Sequence, residues 1–174
     1  METDPFRPYI VDVEASGFGS RSYPIEIGLA LEPEHRYCTL IAPARDWIHW
    51  DPEAQKVHHI PRDTLLASGK PLAQVALELN RLLQEATVYT DGWAVDKPWI
   101  TRLFAEAGLR PTFWVSPLER ILTEPQMDIW HDTRKKVAAA LHLNRHRASA
   151  DAFIVQDTFM LTRELTGSSR TRSA

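Results

Sequence analysis

The stretch Ile10-Val11-Asp12-Val13-Glu14 decides how this chain is read, because two acids interrupt a run of β-branched residues without ending it. Successive side chains of a strand point to opposite faces. Val11 and Val13 are therefore expected to face a core, and Asp12 and Glu14 to project together from the other side. Like charges at that separation repel and their desolvation costs more still, so the pair calls for a compensating cation. A divalent metal meets that need. Ala15-Ser16-Gly17-Phe18-Gly19-Ser20 follows at once, and its glycines let a ligand approach the backbone where the strand stops. The alternative is an exposed edge strand carrying ordinary surface acids.

Further along, residues 24–31 and 37–41 have strand patterns, joined by the polar turn Glu32-Pro33-Glu34-His35, which makes a three-strand meander. Residues 47–61 are expected as a surface excursion with a short helix, capped by Asp51 and opened by Pro52. Leu72, Val75, Ala76, Leu79, Leu82 and Leu83 recur at helical spacing, and residues 86–90 return to a strand that delivers Asp91. Residues 96–108 are expected as a helix with Pro98 in its first turn and Gly108 at its end, and residues 112–115 as a closing strand. Two more helices are predicted over residues 129–141 and 150–165, separated by the polar loop 142–147. The fold class is α/β: a mixed central sheet, an antiparallel meander plus parallel strands, flanked by helices on both faces.

At 174 residues, 44% hydrophobic and 25% charged, the chain has the make-up of one domain with a substantial core. Residues 1–166 are assigned to that domain and 167–174 to a frayed polar tail. A net charge of -3 and a pI of about 6.2 exclude a global basic field, so a polyanionic partner must be held by local contacts. The single cysteine, Cys38, has no internal disulfide partner, and the polar start Met1-Glu2-Thr3-Asp4 lacks the features of a signal peptide. A cytoplasmic location follows as the expectation. No apolar run approaches the ~20 residues that span a bilayer, so no membrane partner is expected.

The second half adds Asp96 at a helix start and, in His146-Arg147-Ala148-Ser149-Ala150-Asp151, a histidine entering the last helix and an acid in its first turn, with Ser149 available as N-cap. Asp12, Glu14, Asp96 and Asp151 are four hard oxygen donors, which suit magnesium or manganese better than zinc. Two such ions ~4 Å apart activate a water, hold a phosphate and stabilise the leaving oxygen of an in-line displacement. A histidine with an unperturbed pKa of ~6.5 takes the proton of the attacking water near neutral pH.

These residues resemble the DEDDh exonuclease family, the ribonuclease H-like fold of ribonuclease T and the proofreading exonucleases, over residues 8–165. The family's first motif is similar to Asp12-Val13-Glu14-Ala15-Ser16-Gly17, its second strand to Ile25-Glu26-Ile27-Gly28, and its third motif to His146 through Asp151 and Ala152. Many members carry His-Asn and an aromatic residue before the central aspartate, where this chain has Asp91-Gly92-Trp93-Ala94-Val95-Asp96. Asp96 is therefore placed by order and helix context, with Asp91 as its substitute. The resemblance implies 3′-to-5′ removal of nucleotides from a single-stranded RNA or DNA end. It also implies two divalent cations, Mg²⁺ or Mn²⁺, held by Asp12, Glu14, Asp96 and Asp151, with His146 as general base. Relatives sometimes pair, so a homodimer stays open. A binding or partner-docking domain that keeps the fold without turnover is the competing expectation, motivated by the altered middle motif.

The backbone of Ala15, Ser16 and Gly17 and the ring of Phe18 are assigned to the terminal nucleotide, because glycines flank Phe18 and the Asp-x-Glu pair fixes its place. Arg147 is the best placed basic residue for a phosphate. Arg134, Lys135 and Lys136 have the pattern of a solvated helix face. His58 and His59 are packing and surface residues, since no third soft ligand lies nearby. Trp93, Trp99 and Trp114 fall where buried faces are expected, and Trp47 and Trp50, although in a loop, fit a core better than base stacking.

Overall fold

Strand β1 (Tyr9–Ala15) is the middle of five strands in the order β3-β2-β1-β4-β5, with β2 (Pro24–Ala30), β3 (Arg36–Leu40), β4 (Thr87–Thr90) and β5 (Trp114–Pro117). The first three strands form the antiparallel meander, and β4 and β5 add in parallel. The computed structural model describes residues 6–32, 35–141 and 147–167. The expected mixed sheet is therefore present. Because β1 is a middle strand, paired with β2 from Ile10 to Ala15 and with β4 at Tyr9 and Ile10, Asp12 and Glu14 do not lie on an edge strand.

Six α-helices, α1 (Pro52–His58), α2 (Arg62–Ser68), α3 (Leu72–Leu83), α4 (Trp93–Glu106), α5 (Glu124–Leu141) and α6 (Ala148–Gly167), and a 3-10 turn at Leu118–Arg120 complete the described elements. The alternation of β1 sorts them into layers. Val11 and Val13 join Ile27 and Leu29 of β2 and the buried residues of α3 and α4, among them Leu79, Leu103 and Phe104. Ile10 and Ala30, on the opposite face, pack against Ala152, Val155 and Phe159 of α6. Each large aliphatic side chain removed from water contributes about 1.5–3 kcal/mol, so both layers are held firmly to the sheet. Asp12 and Glu14 share the parity of Ile10 and consequently face α6. No described helix is long and apolar enough to cross a membrane.

Four expectations change. The supposed surface excursion builds a third small core, in which Trp47 stacks on Tyr23 beside Ile25, Ile60 and Leu65, and α2 lies within it. Helix α4 begins at Trp93, so Pro98 is inside it, because the backbone of Gly92 already accepts the N–H groups of Val95 and Asp96. Helix α5 begins at Glu124, where Pro125 suits a first turn that polar residues hid from the periodicity. Trp114 is 62% exposed, since it lies on the outer strand β5, and Trp93 is 38% exposed, whereas Trp99 packs on the core. Pro33 and Glu34 of the predicted turn, most of the loop before α6, and the tail from residue 168 lie outside the described residues.

Candidate metal centre

Strand β1 and the first turn of α6 bring three carboxylates together. Asp12, Glu14 and Asp151 each offer an oxygen within 4.8 Å of the others. Burial pushes Asp12 well above the usual carboxylate range, and the charges of Asp96, Glu14, Asp151 and Asp91 push it further. Glu14 is raised to about 7, first by burial and then by Asp151, Glu26 and Asp96, with Arg147 opposing. Three acids crowded at this depth destabilise the fold unless protons or a cation offset them. The donors are all hard carboxylate oxygens, so the site fits a divalent cation of the magnesium or manganese type.

Asp96 approaches from the first turn of α4, just beyond the end of β4. It is 3% exposed and raised to about 7, chiefly by burial and then by Asp91, while hydrogen bonds from the Thr90 hydroxyl and the Val13 N–H oppose the rise. Its charge acts on Asp12 more than any other does, yet its oxygens are not part of the three-acid set. Thr90 Oγ1 donates to Asp96 Oδ2 and accepts the Gly92 N–H at 2.9 Å. Asp91, the substitute considered from the sequence, is paired with Arg134 of α5. His146 lies outside the described residues.

The turn after β1 is anchored from beneath. Ser16 exchanges hydrogen bonds with Tyr23, its N–H donating to the Tyr23 carbonyl at 2.9 Å and its hydroxyl accepting the Tyr23 N–H at 3.1 Å. The Ser16 carbonyl takes the N–H of Asp51, the residue that caps α1. Gly17 is required because a Cβ there would meet His49 Nε2 at 2.7 Å and Asp51 Cβ at 2.9 Å. Ala15, Ser16 and Gly17 are thus buried, and Phe18 stands 68% exposed above them. His58 is buried against Trp50, its Nδ1 accepting the Ile60 N–H, and is no part of the site.

Arg147 does not have the free guanidinium expected of a phosphate contact. Its Nε and Nη2 donate to the buried carboxylate of Glu26 on β2. In the sequence Glu26 stands within the second-strand motif Ile25-Glu26-Ile27-Gly28, with no role of its own. The signal that marked Asp12 was present here too, an acid between β-branched neighbours in Ile25-Glu26-Ile27. A groove of about 480 Å³ between α5 and α6 is bordered by His131, Arg134 and Lys135 and reaches Asp151.

No family model and no curated protein matches the chain. Solved structures do match it. Exonuclease I of E. coli in complex with a dA16 oligonucleotide superposes with a TM-score of 0.68 at 14% identity, over 90% of this chain and 40% of that one. The zinc-bound form of an E. coli exonuclease I complex with single-stranded DNA gives 0.69 at 14% identity, over 93% and 42%. The moderately thermophilic exonuclease I of Methylocaldum szegediense gives 0.68 at 16% identity, over 90% and 40%. The chain therefore spans about 40% of the length of these proteins. At such identity the likeness establishes the fold, an α/β sheet with flanking helices of the exonuclease type.

Proposed function

We propose that this chain is a metal-dependent 3′-to-5′ exonuclease that removes nucleotides from the end of single-stranded RNA or DNA. The observation that carries this reading is the convergence of Asp12, Glu14 and Asp151 within 4.8 Å on an exonuclease-type fold. Asp12, Glu14, Asp151 and Asp96 are the proposed ligands of two Mg²⁺ or Mn²⁺ ions. When bound, the ions supply charge neutralisation at the phosphate and a water of lowered pKa. For Asp96 to join the other three, its carboxylate must move toward the shared site, and the Thr90 hydroxyl holds one of its oxygens. His146 acts as general base, taking a proton from the attacking water. The anchored turn of Ala15, Ser16 and Gly17 supports Phe18, whose exposed ring stacks on the base of the terminal nucleotide. The groove beside Asp151 offers Lys135 to the phosphates that follow. The oligonucleotides bound by the exonuclease I relatives support a single-stranded ligand.

A second reading, a nucleic-acid-binding domain without turnover, is favoured by Asp96 alone, whose carboxylate is engaged by Thr90 and Val13. Digestion of matched 5′-labelled RNA and DNA single strands separates the two. Stepwise shortening that requires Mn²⁺ and disappears in His146→Ala and Asp12→Ala supports the exonuclease. Intact strands in the presence of bound Mn²⁺ point to the binding domain.

A further inference from the structure

Glu26 is a fully buried carboxylate that the proposed reaction does not use. In the β1–β2 ladder it stands opposite Glu14, so both project toward α6. A fourth carboxylate, fully buried beside the three acids, is costly unless something answers it. Glu26 is answered completely. Its Oε1 accepts Arg147 Nε at 2.9 Å and Nη2 at 2.6 Å, and its Oε2 accepts Arg147 Nε at 3.1 Å and the Ala148 backbone N–H at 2.9 Å.

Those partners are the entry to one helix. Arg147 immediately precedes α6 and Ala148 is its first residue, so a side chain from β2 caps a helix N-terminus that Ser149, being inside the first turn, does not cap. A carboxylate there also complements the helix dipole, and the forked contact with Arg147 fixes direction as well as distance. Gly28 lies two residues along β2 on the same face, and the backbone of Ala148 and Ser149 fills the space its side chain would need. The N–H groups of Ala150 and Asp151 return to the Arg147 carbonyl at 2.8 and 3.1 Å. Asp151 is thereby suspended from the residue that Glu26 holds.

We propose that Glu26 is a positioning residue of the metal centre: by holding Arg147 and the Ala148 N–H it seats the first turn of α6 on β2 and places Asp151 beside Asp12 and Glu14. Arg147 belongs to this clamp and not to the phosphate path. The inference rests on the nuclease reading for the role of the three acids, while the seating of α6 is separately measurable. Breaking an ordinary structural ion pair lowers stability without altering metal affinity; breaking a clamp alters both metal affinity and the local exchange of α6.

The test uses the full chain with Glu26→Gln, Arg147→Gln and the double variant, and Lys70→Gln as a control that breaks the remote Lys70–Glu78 pair. Mn²⁺ affinity is measured by spin-resonance titration, and amide exchange by mass spectrometry in chelator. The expected result is at least a tenfold weaker Mn²⁺ affinity in each single variant and no further loss in the double. Faster exchange should be confined to residues 148–152 while α3 stays protected, and the control should match the parent. Unchanged exchange over 148–152 in folded Glu26→Gln and Arg147→Gln overturns the clamp, as does unchanged Mn²⁺ affinity when the parent binds the ion. A parent that binds no Mn²⁺ overturns the nuclease reading instead, and the exchange pattern still decides the seating of α6.

Discussion

Gly28 stands directly across the β1–β2 ladder from Asp12, and a Cβ on it would fall 2.1 Å from the Ser149 backbone nitrogen and 2.2 Å from the Ala148 carbonyl carbon. Helix α6 therefore rests on bare backbone at the level of Asp12. Gly28→Ala should destabilise the chain by about 3 kcal/mol or more, at or beyond the upper end of the overpacking range, because the obstructing atoms are main chain and cannot rotate aside. Denaturant unfolding measures this. A loss below about 1 kcal/mol would mean that α6 shifts freely on the sheet.

Crowding at the acids makes them a stability liability that a cation relieves. In chelator, Asp12→Asn should be more stable than the parent by roughly 0.5–2 kcal/mol, as is common where a strained site is relaxed. With Mn²⁺ the order should reverse. The parent gains about 2.7 kcal/mol at a hundredfold excess over Kd, and the variant gains much less. Melting curves with and without Mn²⁺ decide it, and a parent whose midpoint ignores the ion would count against the metal centre.

The same acids set a pH slope. Glu14 and Asp96 are raised from 4.5 and 3.8 to about 7, so the folded state holds protons that the unfolded chain has released. Their contribution to stability is full below the unfolded values and is lost as pH rises through about 7. Glu78, lowered to about 2 by Lys70 and Tyr37, acts in the opposite direction but only below about pH 5. In chelator the parent should thus lose stability relative to Glu14→Gln between about pH 4.5 and 7, the unfolded and folded values of Glu14. Parallel pH profiles for the two proteins would refute this assignment.

Phe18 is exposed and rises from an anchored turn, so its removal should touch binding and not folding. Phe18→Ala should change stability by no more than about 0.5 kcal/mol. Affinity for a short single strand should fall by about 1–3 kcal/mol, the usual worth of one base–aromatic contact. Fluorescence anisotropy with a labelled oligonucleotide reads the loss. Equal affinities would remove Phe18 from the nucleotide site.

Legibility followed the range of the interactions. The alternation through Ile10 to Glu14 announced both a core face and an acidic face, and the strand order of the meander followed from short polar connections. Asp51 and Pro52 marked the start of α1 because a helix cap is a local hydrogen bond between neighbours in the chain. The start of α5 was missed because Glu124 to Asp128 are mostly polar and show no apolar repeat.

The chain by itself determined which residue types gather on which side of each element, since side-chain parity and capping depend on neighbours a few positions away. Only the tertiary structure decided which distant residues meet. Arg147 pairs with Glu26, 121 positions away, and Asp151 of α6 comes beside Asp12 and Glu14 of β1, while Asp96 stays with Thr90, its neighbour across the β4–α4 turn. A buried charge takes whichever partner the packing of layers brings within reach, and that choice is made by the docking of α6 on β2, not by spacing along the sequence.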